Sequence, residues 1–350
     1  MGVLLERGLA EEPGRPARPL AEDLGRYYAV GVKVRTNSLV GVLVDVDGNY
    51  LAGADGRQEH PSLEHPLLAT DVDTVVRGIA DLVAKLLALH PELESPVGLG
   101  VEVIGQVDGR SGLVQRSHRM GWNAPVPLAE LLERATGHRT LVEHDTKALA
   151  LAEQMFGFGQ GRRSFAVVTA GLGVGAGLVI NHALWRGQSG TAGELGHLSV
   201  EAGGRSCGCG NRGCLETMAG SDGILQTIRE QGRHDVPDIE AALRLVREGD
   251  EGARRAFEDA GTFLGVGLSW LVNLLDLELV IVHADETLLD SGAYLPAARR
   301  SFEMHGFYEA ARRCELRIGA RDNPLGARSA GSMVFRLLPD RLAELGDPWG

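Results

Sequence analysis

His197, Cys207, Cys209 and Cys214 lie in one glycine-rich stretch, "GHLSVEAGGRSCGCGNRGCLE". One imidazole and three thiols are a donor set suited to zinc, which prefers four tetrahedral nitrogen and sulfur ligands. Gly208, Gly210 and Gly213 let a short loop fold back on an ion, because glycine accepts left-handed and cramped backbone. Three of the chain's four cysteines are here, and the fourth is Cys314. A disulfide plus a free thiol is the alternative. It is disfavoured because Cys207 and Cys209 are too close in sequence for an easy bridge, and nothing else suggests an oxidising compartment.

Composition bounds what else the chain does. Its 350 residues suit one large or two medium domains, and a hydrophobic share of 44% provides a substantial core. The 48 glycines suit an α/β protein with many tight loops. A formal net charge of −12 makes the body a poor general partner for nucleic acid or anionic membrane. DNA recognition would need a separate, locally basic element. Glu6 and Arg7 stand where a secretory signal would be apolar. The apolar run from Leu264 to Val282 is broken by Asn273, Asp276 and Glu278, so it reads as a buried helix and a strand, with no membrane span. The expected location is cytoplasmic.

The elements that must position the donors follow from periodicity. "YYAVGVKV", "SLVGVLVDVDG" and "YLAGA" read as strands, with a turn at Asp47-Gly48. Val72 to His90 carries apolar residues at helical spacing. "VGLGVEVIG" is a buried strand and "QVDGRSG" a loop; Pro127 to Thr136 is a helix closed by Gly137. "RTLVEHD" is a strand ending at Asp145, and Thr146 to Phe156 is helical. "SFAVVTAGLGVGAGLVI" gives two more strands around a glycine turn. Helices follow at 238–248 and 252–275, then the strand "LELVIVH", then a last helix near Pro324. Two α/β lobes are expected, 27–145 and 146–338, with the metal loop 197–214 in the second. Residues 1–20 and 339–350 belong to neither. Folds of this kind usually bind ligands in a cleft between lobes.

The metal loop, the "VEHDTKALALAE" segment and the two similar hairpin openings together resemble the ROK family of repressors and sugar kinases, over Tyr27 to Leu338. "GELGH" followed by Cys-x-Cys-Gly-x-x-Gly-Cys-x-Glu is the specific part. The resemblance implies a two-lobed actin-like ATPase (ribonuclease H-like) fold, a sugar in the cleft and a structural zinc. It assigns zinc to His197, Cys207, Cys209 and Cys214, and sugar hydroxyls to Glu194, His197 and Glu216. Asp145 matches the residue that takes the hydroxyl proton in the kinases, a general-base role. His144 stands where many kinases have asparagine. Gly105, in "VIGQVDG", matches a turn under the sugar, with Ile104 replacing a proline.

Three nucleotide turns depart from the kinase pattern. Phosphoryl transfer needs backbone N–H groups in glycine turns and an acid for the metal. In the first turn, usually Asp-x-Gly-Gly-Thr, the chain has Lys33, Val34, Arg35, Thr36 and Asn37. The second, usually Gly-Thr-Gly, is Gly171, Leu172 and Gly173. The third, usually glycine-rich, is His283, Ala284, Asp285 and Glu286, whose carboxylates repel a triphosphate. ATP and magnesium are therefore not expected. "LLERGLA" and "GRPARPL" resemble the tail of the winged helix-turn-helix that precedes ROK repressor bodies, so DNA is expected to be read only through a helix-turn-helix upstream. The expected function is a sugar-sensing regulator that responds to a sugar or sugar phosphate and forms a dimer or tetramer. The alternatives are a hexose kinase using Asp145 and Mg-ATP, and a zinc-stapled scaffold without a ligand.

Overall fold

A computed structural model describes residues 27–51, 62–91, 93–319 and 324–337. The expected helix-turn-helix tail (1–20), the C-terminal tail (339–350) and positions 52–54 of "YLAGA" lie outside the described residues. None of the described helices is long and apolar enough to cross a membrane. The chain forms two compact units; the first ends at Gln160 and takes in the last described helix, and the second begins at Gly161.

The first unit runs β1 (Tyr28–Val34), β2 (Ser38–Asp45), β3 (Ser62–Pro66), α1 (Val72–Ala88), β4 (Leu99–Val103), β5 (Gln106–Asp108), β6 (Leu113–Arg116), α2 (Leu128–Thr136), β7 (Thr140–His144) and α3 (Asp145–Phe156). The second runs β8 (Phe165–Ala170), β9 (Val174–Ile180), β10 (Ala183–Leu184), α4 (Leu215–Ala219), α5 (Ser221–Glu230), α6 (Ile239–Arg247), α7 (Glu251–Leu275), β11 (Leu279–Ala284), α8 (Glu286–Asp290), α9 (Tyr294–His305), α10 (Glu309–Arg313) and β12 (Glu315–Ile318). The chain then returns to the first unit as α11 (Leu325–Met333).

Each unit holds a five-stranded sheet of one plan, β3-β2-β1-β4-β7 and β10-β9-β8-β11-β12. In each, an antiparallel opening is followed by parallel strands. The α/β class expected from the sequence is present in both units. The residues of interest collect at the carboxyl ends of parallel strands, where such sheets carry their sites. Lys33 is near the end of β1, Gly105 follows β4, Asp145 follows β7, and Asp285 follows β11.

Four expectations are corrected. The boundary at 145/146 is wrong, because α3 packs on α11 and buries Ala148, Leu149, Ala150 and Leu151 within the first unit. The third strand is Ser62–Pro66, paired to β2, while Tyr50 makes an isolated bridge to Val44. "QVDGRSG" contains a strand, because Val107 pairs with Val114 across a turn whose Arg110 N–H and Ser111 Oγ donate to Asp108. Residues 286–318, left without elements after the late strand, hold three helices and a strand.

Elsewhere periodicity and packing agree. Asp71 caps α1 by accepting from Thr74 N–H at 2.9 Å, and Val75, Ile79, Leu82, Val83 and Leu86 are buried. Both faces of the first sheet are covered. Tyr28, Val30 and Val32 join the α1 side, and Ala29, Val40, Val42 and Val44 join the α11 side. The second approach is close: a Cβ on Gly31 would overlap the Ala327 carbonyl and lie 2.6 Å from Gly331 N. Backbone cannot yield as a side chain can. Gly31→Ala should therefore cost at least roughly 2 kcal/mol, read as a lower urea midpoint; an unchanged midpoint would mean that α11 does not lie against β1.

Candidate functional site

In the second unit the loop between β10 and α4 carries the thiols. One turn of 3-10 helix, Leu195–His197, presents His197, and Cys214 is the N-cap of α4. Cys207 N–H donates to Asn211 O at 2.9 Å and Gly210 N–H to Cys207 O at 3.0 Å, a tight turn that holds Cys207 and Cys209 together. Gly213 must be glycine: its φ is 69°, and a Cβ there would overlap the Glu201 carbonyl. Arg205 ties the loop to its neighbours. Its guanidinium donates to Thr217 O at 3.1 Å, Gly223 O at 2.9 Å, Thr227 Oγ1 at 2.9 Å and Glu230 at 2.7 Å. Sequence reasoning gave Arg205 no role. Its side chain gives no local signal, since the same loop also holds Arg186 and Arg212.

The four donor atoms of His197, Cys207, Cys209 and Cys214 lie within 4.8 Å of one another. Cys207 Sγ is 3.6 Å from His197 Nδ1, and Cys209 Sγ is 3.7 Å from Cys214 Sγ. A tetrahedron with zinc–sulfur bonds of about 2.3 Å and zinc–nitrogen bonds of about 2.0 Å has edges of about 3.7 and 3.5 Å. The donor set and its spacing fit such an ion, and the sulfur separation excludes a Cys209–Cys214 disulfide. Burial pushes the Cys207 and Cys214 thiols up. At Cys209 burial is outweighed by the Asn211 N–H and by the two neighbouring thiols, which hold it below the usual thiol range. A dication at this point would favour all three as thiolates.

Two carboxylates flank the cluster. Glu216 Oε1 accepts from the Cys207 thiol at 3.0 Å and lies 3.5 Å from His197 Nδ1. Glu194 Oε2 lies 3.8 Å from His197 Nε2. The imidazole thus turns Nδ1 toward the thiols and Nε2 toward Glu194. An ion on Nδ1 would leave Nε2–H as a donor on the side of Glu194.

The first unit assembles a second group. Asp145, at the junction of β7 and α3, accepts from Thr146 N–H at 2.7 Å and lies 3.1 Å from His144 Nδ1. Burial opposes its ionisation, but His144, Lys33 and the Thr146 N–H outweigh burial and hold the carboxyl below its usual range. Lys33 Nζ lies 2.9 Å from Glu102 Oε1, a carboxylate that sequence reasoning missed. Glu102 holds the ammonium up against burial, and burial pushes Glu102 up against the pull of Lys33. With Nζ at 2.9 Å we take the pair as charged, since a neutral Glu102 would forfeit the attraction that keeps the ammonium. Arg35 and Asn37 stand in the β1–β2 turn, where Arg35 reaches Glu64 at 3.8 Å and Asn37 O accepts from Leu67 N–H. Gly105 has a φ of 131° and packs on Arg116 and Ser117.

The remaining altered turns lie in the second unit. Leu172 is 56% exposed between Gly171 and Gly173. The Asp285 carboxylate occupies the space a Cβ on Gly171 would take, and its N–H donates to Ala170 O at 2.8 Å. His283 is buried opposite Thr169 in the β8–β11 ladder, its ring against Gly319.

Comparison with known proteins places this geometry. A sequence profile of the ROK family matches residues 41–332. The DNA-binding transcriptional dual regulator NagC of Escherichia coli K12 is 29% identical over 84% of this chain and 74% of its own. A glucokinase of Halalkalibacterium halodurans is 30% identical over 74% of this chain and 83% of its own. A solved ROK transcriptional regulator, a homologue of the E. coli MLC protein, superposes with a TM-score of 0.77 at 22% identity, covering 92% of this chain and 81% of that one. ROK hexokinase from Thermus thermophilus gives 0.72 at 25% identity, covering 87% and 97%. Regulators and sugar kinases thus stand side by side among the relatives, and the chain belongs to the ROK family.

Proposed function

We propose that this chain is the sugar-sensing body of a ROK transcriptional regulator and does not transfer phosphate from ATP. One observation carries the reading. Where the kinase pattern has an acid in its first turn, this chain has Lys33, and Lys33 is tied to a buried Glu102 at 2.9 Å. Two further features point the same way. Asp285 brings a carboxylate against Gly171, and Leu172 replaces a hydroxyl. A triphosphate would meet repulsion where it needs N–H donors.

The hydroxyl-binding groups remain. In the first unit Asp145 and His144, beside the Gly105 turn, are side chains suited to sugar hydroxyls; in the second unit Glu194, His197 and Glu216 are. Each hydrogen bond to a charged group contributes roughly 1.5–3 kcal/mol. Bound at His197, Cys207, Cys209 and Cys214, zinc would supply a structural cross-link. Sugar binding would shift a homo-oligomer between arrangements in proportion to its differential affinity for them. DNA recognition falls to a segment other than 27–337.

A coupled ADP-release assay over a hexose panel should give no turnover above background; turnover abolished by Asp145→Asn would establish the kinase instead. In thermal-shift screening, a binding sugar at about a hundredfold above its Kd should add roughly 2.7 kcal/mol and raise the melting point. A panel with no shift would favour the ligand-free scaffold. The purified chain should carry one equivalent of zinc, lost on Cys209→Ser, and an unchanged metal content in that variant would overturn the ligand assignment.

A further inference from the structure

The cations of the first turn are already engaged by carboxylates. Lys33 and Glu102 are register partners on the parallel strands β1 and β4, so the backbone sets them side by side. The Glu102 side chain is 1% exposed, and Nζ meets it at 2.9 Å. α11 closes over the pair: a Cβ on Gly326 would overlap Glu102 Oε1 and lie 2.7 Å from Lys33 Cδ. Arg35 is turned to Glu64 at 3.8 Å. What this side of the first unit offers a ligand is Asp145, 29% exposed and oriented by His144 and the Thr146 N–H.

A lysine at position 33 invites comparison with phosphate receptors, among which lysine is common. The geometry argues against that. A phosphate monoester carries about −1.5 to −2 charges at neutral pH. Lys33 is 30% exposed and its ammonium keeps spare N–H donors, but its charge is already balanced by Glu102. An ester there gains no net charge attraction, and drawing the ammonium away would strip a buried carboxylate of its partner. The ester would also approach the Asp145 carboxylate. A neutral hydroxyl meets neither obstacle, because Asp145 can accept from it while the Lys33–Glu102 contact stays intact.

We infer that Glu102 is a positioning residue acting through Lys33, and that by neutralising it Glu102 makes the site beside Asp145 select uncharged sugars over their phosphate esters. This rests on the reading of Asp145 as a hydroxyl-binding group. It commits the effector class to a neutral sugar.

Isothermal titration calorimetry on the whole chain tests it, with D-glucose, N-acetyl-D-glucosamine and D-xylose, and with the 6-phosphates of the first two. The wild-type chain should bind a neutral hexose at least about tenfold more tightly than its ester. Glu102→Gln keeps the shape and releases the ammonium, so the affinity ratio should move toward the ester by about tenfold. Adding Lys33→Met to Glu102→Gln should return the wild-type preference, which a general loss of structure would not do. Three results overturn the inference. An ester preferred by the wild-type chain, with binding sensitive to Asp145→Asn, refutes it and leaves the sensor reading standing. An unchanged ratio in Glu102→Gln means that Glu102 does not neutralise Lys33. No binding of any of these compounds removes the sensor reading and this inference with it.

Discussion

The convergence of one imidazole and three thiols is the constraint on which the functional loop of the second unit depends. Between β10 and α4 the chain has one short turn of 3-10 helix and isolated bridges. Ordering such a segment costs roughly 1–2 kcal/mol of backbone entropy per residue, with little apolar burial to offset it. Backbone turns and Arg205 hold part of it. The donor cluster adds a further fastening: His197 belongs to it, and Glu194 and Glu216 lie within 3.8 Å of that imidazole. A stiff loop holds its acceptors in place before a ligand arrives, which lowers the cost of ordering on binding.

The two sheets share a strand plan, yet their turns have diverged in chemistry. In the first, the change from acid to base at position 33 cannot stand alone. A lysine facing a packed helix would leave a costly unpaired charge, and so would Glu102. Side by side in register, each removes the other's penalty. In the second, Asp285 opens a five-residue helix and lies on Gly171. A carboxylate beside a glycine turn adds negative charge where such turns otherwise receive phosphate.

What could be read in the sequence was what is local. The α1 helix was visible because its apolar face repeats within seventeen residues. α2 was visible because Gly137, at φ 72°, ends it. The metal donors were visible because ligand spacing is itself local. The ion pair was not, because Lys33 and Glu102 meet only through the register of two parallel strands separated by α1. Arg205 was missed for a related reason: its partners lie on α4 and α5, and nothing in the loop announces them. α9 escaped notice because, between the buried Tyr294 and Phe302, its contact with α7 is made by small residues. A Cβ on Gly261 or Gly265 of α7 would overlap the carbonyls of Tyr294 and Ala298, and Ser301 Oγ donates to Thr262 O at 2.7 Å. A seam of glycine, alanine and serine carries a weak hydrophobic period. The return of α11 to the first unit was hidden because no linker composition marks it.

Asp145 bears on the choice between kinase and sensor in a way its mere presence does not. A general base works best when its pKa approaches the working pH. Burial alone would move Asp145 in that direction. Here His144, Lys33 and the Thr146 N–H outweigh burial and keep the carboxyl below its usual range. Lys33 supplies part of that effect from the position where the kinase pattern has an acid, which would act with the opposite sign. Lysine at this position therefore favours the ionised form of Asp145. It leaves intact the ability of a carboxylate to accept a hydrogen bond from a hydroxyl that keeps its proton, which is all that a sensor requires.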